Sequence, residues 1–146
     1  MRIDTLSYKY RSRQSAAAMY QSLISEQQKF FQSKDPEITQ LQEGTVIHYE
    51  IFTKTERLPV PATLTITKLR PNECFQMQTE HTKGIILQTY HFSQETKTEV
   101  LYSERNTFDE MRDQFGFLFI GFFYKILYNH GIKKRMRYIE QLCQET

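Results

Sequence analysis

The sequence predicts a single α+β domain, residues 1–146, in which a six-stranded antiparallel sheet packs against helices. A chain of 146 residues is long enough for one hydrophobic core, because folding at this size buries roughly 70% of the surface that the unfolded chain exposes. Apolar, β-branched and aromatic runs fill the middle of the chain, while helical spacing of apolar residues occurs before and after them. Short breaks separate the central runs, which favours antiparallel neighbours over parallel ones.

The first segment is a strand followed by a helix. Residues Ile3 to Tyr10 alternate apolar and polar side chains, which predicts a strand. Ser12 or Ser15 provides the N-cap of the helix that follows. Phe30 and Phe31 either extend this helix or start a second one, and Asp35-Pro36 marks the end, because the residue before a proline disfavours the α conformation. The apolar residues of this helix recur at helical spacing and form a stripe that can pack on a sheet: Ala16, Met19, Tyr20, Leu23 and Ile24.

The middle of the chain predicts five strands. The clearest begins at Ala62, where apolar and threonine side chains alternate and so give one apolar and one hydroxylated face. Proline, glycine and polar residues mark the breaks. We place the five strands at Thr45–Thr53, Ala62–Arg70, Cys74–His81, Ile85–Phe92 and Thr98–Thr107.

The last segment predicts a long helix. Thr107 and Glu110 have the spacing of a capping box, in which each side chain bonds to the backbone N–H of the other. Gly131 follows Asn129 and is the position where a break is expected. The second half has an apolar stripe made of Ile132, Met136, Ile139 and Cys143.

The phenylalanine-rich segment, Phe115 to Tyr124, has no polar face. One interpretation is a core helix that a sheet covers on both sides. A second is a functional surface, in which the phenylalanines line an internal pocket, form a dimer contact or enter a membrane interface. A membrane span requires about 20 apolar residues, and Lys125 ends this run too early.

Charge and cysteine content exclude other classes. A net charge of +2 is too small to indicate a nucleic-acid-binding protein. Cys74 and Cys143 lie far apart, and the first residues lack the apolar stretch of a secretory signal, so we expect free thiols in a cytoplasmic protein. The one basic cluster is expected on the solvated side of the last helix, with an anionic surface as the alternative: Lys133, Lys134, Arg135 and Arg137.

One carboxylate, that of Glu104, is a candidate for catalysis. The sequence has no phosphate-binding loop or nucleophile elbow, and its four histidines lack metal-ligand spacing, so no metal or cofactor is expected. His48 and Glu50 face solvent if Tyr49 faces the core. Glu104 either enters a cavity, where desolvation would raise its pKa as in a general acid or base, or pairs with an Arg or Lys of a neighbouring strand.

The order of elements resembles the START-like, birch-pollen-allergen-like helix-grip superfamily, which includes polyketide cyclases and lipid-transfer domains. The resemblance covers nearly the whole chain and rests on Ser15 to Ile24, on Tyr102-Ser103-Glu104 and on Gly121 to Leu142. Within it, the chain is most similar to a bacterial family of unknown function, through Tyr49-Glu50 and the basic final helix. The resemblance implies a curved sheet that grips the last helix, with a cavity between them that commonly holds an apolar small molecule.

The function expected from this reasoning is non-catalytic binding of a small apolar or amphipathic molecule. Two alternatives remain: a homodimer or partner contact through the phenylalanine-rich segment, and a cyclase- or hydrolase-like enzyme that uses Glu104. The phenylalanines could also fill the cavity themselves. The residues expected to line the cavity, with Glu104 as polar anchor, are Tyr49, Tyr90, Tyr102, Glu104, Phe119, Phe122 and Phe123.

Overall fold

The computed structural model describes residues 2–51, 60–82, 84–108 and 121–145. Within these ranges the chain has the predicted α+β architecture, and the strands form one antiparallel sheet in the order β1-β6-β5-β4-β3-β2. The elements in chain order are β1 (Arg2–Ser12), α1 (Ala16–Lys34), β2 (Val46–Ile51), β3 (Val60–Arg70), β4 (Cys74–His81), β5 (Gly84–Gln94), β6 (Thr98–Phe108) and α2 (Gly121–Glu145).

The sheet is a meander that β1 completes. Strands β2 to β6 pair in sequence order, and β1 pairs with β6 so that Tyr8 lies opposite Tyr102. The strand boundaries lie within two residues of the predicted ones, while the end predicted at Thr53 falls outside the described residues. This agreement follows from the alternation of side chains, because one buried and one solvated face impose a period of two.

Helix α1 begins and ends at the predicted residues. The Ser15 hydroxyl accepts a hydrogen bond from the Ala18 backbone N–H at 3.1 Å, and Asp35 is the C-cap. The predicted stripe faces the sheet, with Met19 and Leu23 fully buried. At its first turns α1 contacts β5, where the Tyr20 and Phe92 rings meet edge to face with centroids 5.5 Å apart.

Helix α2 packs through the predicted stripe, and Met136 and Ile139 are each 1% exposed. The predicted capping box is wrong, because Thr107 and Phe108 belong to β6 and are paired on both sides. The break predicted at Gly131 is also wrong, since α2 is continuous there. A glycine inside a helix costs about 1 kcal/mol relative to alanine, which is less than the burial of the next two turns contributes.

The core lies between the inner face of the sheet and the two helices. Tyr49 faces it and is partly buried, while His48 and Glu50 are exposed on the outer face, as their alternation predicted. Cys74 and Cys143 are free thiols. Three rings on adjacent strands form the centre of the inner face, with Tyr90 between Phe75 and Tyr102 at centroid distances of 6.2 and 4.8 Å.

Neither helix of the described residues combines the length and apolar character needed to cross a membrane. Among the same residues, no three His, Cys, Asp or Glu side chains lie close enough together to bind a metal ion.

The packing of α2 leads to a prediction about stability. Replacing Ile139 by alanine removes a fully buried side chain and should lower the free energy of unfolding by about 2–5 kcal/mol. The exposed neighbour Lys134 provides the control, because Lys134→Ala should change this free energy by less than about 0.5 kcal/mol. Urea denaturation followed by circular dichroism measures both. Equal losses in the two variants would show that the stripe does not hold α2 on the sheet.

Candidate functional site: a cleft between the helices and the sheet

A cleft of about 340 Å³ opens between α1, α2 and the inner face of the sheet. Its volume lies at the small end of the range that ligand pockets occupy. Side chains from both helices and from strands β2 to β5 line it, so its shape depends on how all these elements pack together. The described lining residues are Glu26, Gln27, Phe30, Tyr49, Leu64, Met77, Thr79, Gln88, Tyr90 and Arg135.

One wall of the cleft is aromatic. Phe30 from α1 and Tyr49 from β2 meet edge to face, with ring centroids 5.7 Å apart and an interplanar angle of 88°. The Lys34 ammonium lies 5.8 Å from the centroid of each ring, a cation–π geometry that holds the two elements together. Burial raises the pKa of the Tyr49 hydroxyl, so this side chain is neutral at physiological pH.

The opposite wall is organised by Arg135. Its Nε donates to the Tyr90 hydroxyl at 3.0 Å, while Nη1 and Nη2 donate to the Glu26 carboxylate at 3.2 and 2.7 Å. The side chains of Arg135 and Glu26 are only 30% and 20% exposed. The prediction that all four basic residues of this cluster are solvated is therefore wrong for Arg135. Its position three residues after Ile132 and four before Ile139 places it beside the buried stripe.

Behind the cleft, hydrogen bonds connect three side chains on β5 and β6. The Gln88 amide Nε2 donates to the Tyr102 hydroxyl at 2.8 Å, and this hydroxyl donates to Glu104 Oε2 at 3.3 Å. The Tyr102 side chain is 1% exposed and packs on Tyr90, which itself reaches the cleft. Burial raises the pKa of Tyr90 more than the nearby Arg135 lowers it, so the Tyr90 hydroxyl is neutral at physiological pH.

Glu104 is partly buried and its pKa is raised. Burial is the dominant cause and exceeds the opposing effects of Tyr102 and Asn106. The Asn106 Nδ2 atom makes no hydrogen bond of ordinary geometry with a described residue, so its effect is the weaker one. The expected ion pair with a neighbouring strand is not formed, because the residues opposite Glu104 are Leu6 and Gln88.

The structure brings together part of the predicted site. Tyr49 and Tyr90 line the cleft. Tyr102 and Glu104 lie behind the lining, and hydrogen bonds from Gln88 to Tyr102 and from Tyr102 to Glu104 connect them to it. Phe119 lies outside the described residues. The backbone of Phe122 and Phe123 is in the first turn of α2, and their side chains are outside the described part of the structure.

Sequence reasoning missed five polar or charged residues of the described lining: Glu26, Gln27, Thr79, Gln88 and Arg135. Glu26 occurs three residues after Leu23 and so adjoins the apolar stripe of α1. Gln88 shares the inner face of its strand with Tyr90 because they are two residues apart. The spacing of residues therefore predicts that Glu26 and Gln88 lie beside the core. The pairing of Glu26 with Arg135 cannot be predicted in this way, because it depends on the packing of α1 against α2.

This arrangement of a six-stranded antiparallel sheet, a helix inserted after β1 and a C-terminal helix packed on the inner face is the helix-grip fold of START-like and birch-pollen-allergen-like proteins. Similar solved structures include a protein of unknown function, SA2116, from Staphylococcus aureus (TM-score 0.67, 10% identity, 99% of this chain and 98% of that chain). Norcoclaurine synthase from Thalictrum flavum is also similar (TM-score 0.62, 10% identity, 99% and 88%), as is Ara h 8.0201 (TM-score 0.60, 8% identity, 99% and 100%).

At these identities the likeness concerns the fold alone. A family model described as "Domain of unknown function (DUF3284)" matches residues 7–125, and the chain belongs to this family. The architecture and the similar solved structures confirm the resemblance to helix-grip proteins that the sequence indicated, and the family match confirms the expected family of unknown function. No curated protein matches the sequence.

The Arg135–Glu26 pair makes a prediction about stability. Removing one partner of a fully buried pair costs about 3–5 kcal/mol, and because this pair is partly exposed we expect Arg135→Met to cost about 1–3 kcal/mol. The double variant Arg135→Met, Glu26→Met should recover most of the loss, since no unpaired charge remains. Urea denaturation of the single and double variants measures the coupling.

The control for this cycle is Arg137→Met, on the exposed side of the same helix, with an expected change below about 0.5 kcal/mol. Purely additive effects of the Arg135 and Glu26 substitutions would show that the ion pair does not couple the helices.

The raised pKa of Glu104 predicts a pH dependence of stability. Between the ordinary pKa of 4.5 and the higher folded value, the folded protein binds more protons than the unfolded chain, so the free energy of unfolding falls as the pH rises. Glu104→Gln removes this titration. The free energy of unfolding of the variant, minus that of the wild type, should therefore increase from acidic to neutral pH.

Tyr102→Phe provides a second measurement, because loss of the hydroxyl removes a contact that lowers the pKa of Glu104. The fall in stability should then extend to higher pH than in the wild type. Denaturant titrations at several pH values measure both effects, and a difference between Glu104→Gln and wild type that is constant with pH would contradict the prediction.

Proposed function

We propose that this protein binds a small amphipathic molecule, without catalysis, in the cleft between α1, α2 and the sheet. The observation that carries the proposal is the composition of the cleft lining. Apolar groups from Phe30, Tyr49, Leu64 and Met77 lie next to polar groups from Thr79 and Gln88 within one cavity of about 340 Å³. Pockets that hold small ligands combine apolar surface with a few polar groups in this way.

The fold alone does not distinguish a binding protein from an enzyme, so the distinction must be argued from the residues of the site. One similar structure is a synthase by name, so the fold is compatible with enzymes. In this chain the carboxylate with a raised pKa, Glu104, does not line the cleft and is connected to it only through Tyr102 and Gln88. A general acid or base must come within hydrogen-bond reach of the reacting group, and the position of Glu104 therefore favours binding.

A fluorescent probe tests the proposal. The neutral dye 6-propionyl-2-(dimethylamino)naphthalene emits at shorter wavelength in an apolar site, and we expect saturable binding to the wild type at one site per chain. Met77→Trp fills the cleft with an indole and should weaken binding by about tenfold or more, which corresponds to about 1.4 kcal/mol. Thr79→Leu fills less of the cleft and provides a second test in case Met77→Trp misfolds. Thermal melting shows whether each variant is folded.

The matched control is Leu101→Trp, which adds the same side chain on the outer face of β6, where Leu101 is 37% exposed. Its affinity for the dye should equal that of the wild type. Equal weakening in both tryptophan variants, or the absence of saturable binding to the wild type, would rule out the cleft as the ligand site.

A further inference from the structure

We infer that the cleft selects an uncharged ligand that carries a hydroxyl group beside a compact apolar body. This inference rests on the proposed function and adds the class of ligand. Three features of the described lining carry it: the charges of the cleft neutralise each other, two polar side chains of the sheet have free hydrogen-bonding capacity, and most of the remaining surface is aromatic and aliphatic.

The first feature is the absence of a free charge in the described lining. Glu26 and Arg135 are its only charged residues, and each is committed to the other through two hydrogen bonds. The third donor position of Arg135, Nε, is occupied by the Tyr90 hydroxyl. Two of its five N–H donors remain unused within the described residues, but Glu26 already balances the charge of Arg135, so an ionised ligand would bring an uncompensated charge into a partly buried site, which is costly.

The second feature is a pair of polar groups with unused capacity. Gln88 donates through Nε2 to Tyr102, and within the described residues its Oε1 accepts no hydrogen bond, which leaves a carbonyl acceptor. The Thr79 side chain is 7% exposed, and its hydroxyl has no partner in the described structure. Because Thr79 and Gln88 lie on adjacent strands, diagonally across the β4–β5 register, one ligand group can meet both.

A hydroxyl group fits these two side chains. It can donate to the Gln88 Oε1 and accept from the Thr79 hydroxyl, whereas an ether or a ketone has no donor for Gln88. An acceptor that loses contact with water when a ligand covers it avoids the cost of remaining unpaired if the ligand supplies a donor. The polar end of the ligand is therefore an uncharged group that both donates and accepts a hydrogen bond.

The third feature is the apolar remainder of the cleft. Phe30 and Tyr49 present an aromatic wall, and Leu64 and Met77 form the floor on the sheet. Lys34 lies over the rings of Phe30 and Tyr49 and is exposed, so among the described residues it is a cation at this wall that could attract an anionic ligand. An experiment on ligand charge must therefore include Lys34.

Three naphthalene derivatives of similar size separate these ligand classes. 2-Naphthol is neutral and has a hydroxyl group, 2-methoxynaphthalene is neutral without a donor, and 2-naphthoate is an anion at neutral pH. Isothermal titration calorimetry with the wild type should give an affinity for 2-naphthol about 3- to 10-fold higher than for 2-methoxynaphthalene, as one or two hydrogen bonds provide. The affinity for 2-naphthoate should not exceed that for 2-methoxynaphthalene.

Variants assign this preference to the two side chains. Thr79→Val and Gln88→Leu should each reduce the ratio of the 2-naphthol and 2-methoxynaphthalene affinities toward one, while binding of 2-methoxynaphthalene persists. Thr65→Val removes a hydroxyl from the outer face of β3 and should leave the ratio unchanged. Lys34→Met should not alter the order of the three affinities.

The outcomes distinguish the inference from the proposed function. Preference for 2-naphthoate, particularly one that Lys34→Met abolishes, would overturn the inference while leaving the cleft as a ligand site, and so would equal affinities for all three compounds. No binding of any compound to the wild type would count against the proposed function, and the inference would fail with it. Tighter binding of 2-naphthol than of the other two compounds, if Thr79→Val abolishes this preference and Thr65→Val keeps it, would support both the inference and the proposed function.

Discussion

The guanidinium of Arg135 joins the three walls that enclose the cleft. The residue belongs to α2, and its hydrogen bonds reach Glu26 on α1 and Tyr90 on β5. A guanidinium presents its donors in a rigid plane, so one group sets the position of both helices over the sheet. Apolar packing around Met136 and Ile139 is non-directional and does not by itself determine where α1 lies. The width of the cleft beside Tyr90 therefore depends on this side chain.

The polar groups of the inner face are hard to explain by stability alone. A polar group that is covered without gaining a partner costs about 1–3 kcal/mol, and valine or leucine at Thr79 and Gln88 would avoid that cost wherever these side chains lose contact with water. Gln88 is also connected to Glu104 by hydrogen bonds through the Tyr102 hydroxyl, and burial disfavours the charged form of Glu104. A domain that served only as a scaffold would gain from an apolar inner face. The same groups are useful if a ligand supplies the missing hydrogen bonds, which is why they favour a binding role.

The sequence predicted the elements better than the site, for a physical reason. Burial of one sheet face or one helix stripe is a local pattern, so strands and stripes can be read from alternation and spacing. The partners of Glu104 depend on strand register, which places it beside Leu6 and Gln88. Arg135 stands in a run of basic residues, yet the helical period of 3.6 residues turns it toward α1 while Lys134 remains exposed.

Aromatic residues make up 14% of the chain, and the row that three of them form on the inner face explains where the cleft begins. Phe75, Tyr90 and Tyr102 occupy one row across β4, β5 and β6, and each large ring fills space between the sheet and the helices. One row further along the same strands the side chains are Met77 and Gln88, which are narrower and leave a cavity. Tyr90 stands at the boundary and contributes its ring to the core and its hydroxyl to Arg135. The aromatic row thus closes the cleft at one end, and the size of the cleft depends on the narrower side chains beyond it.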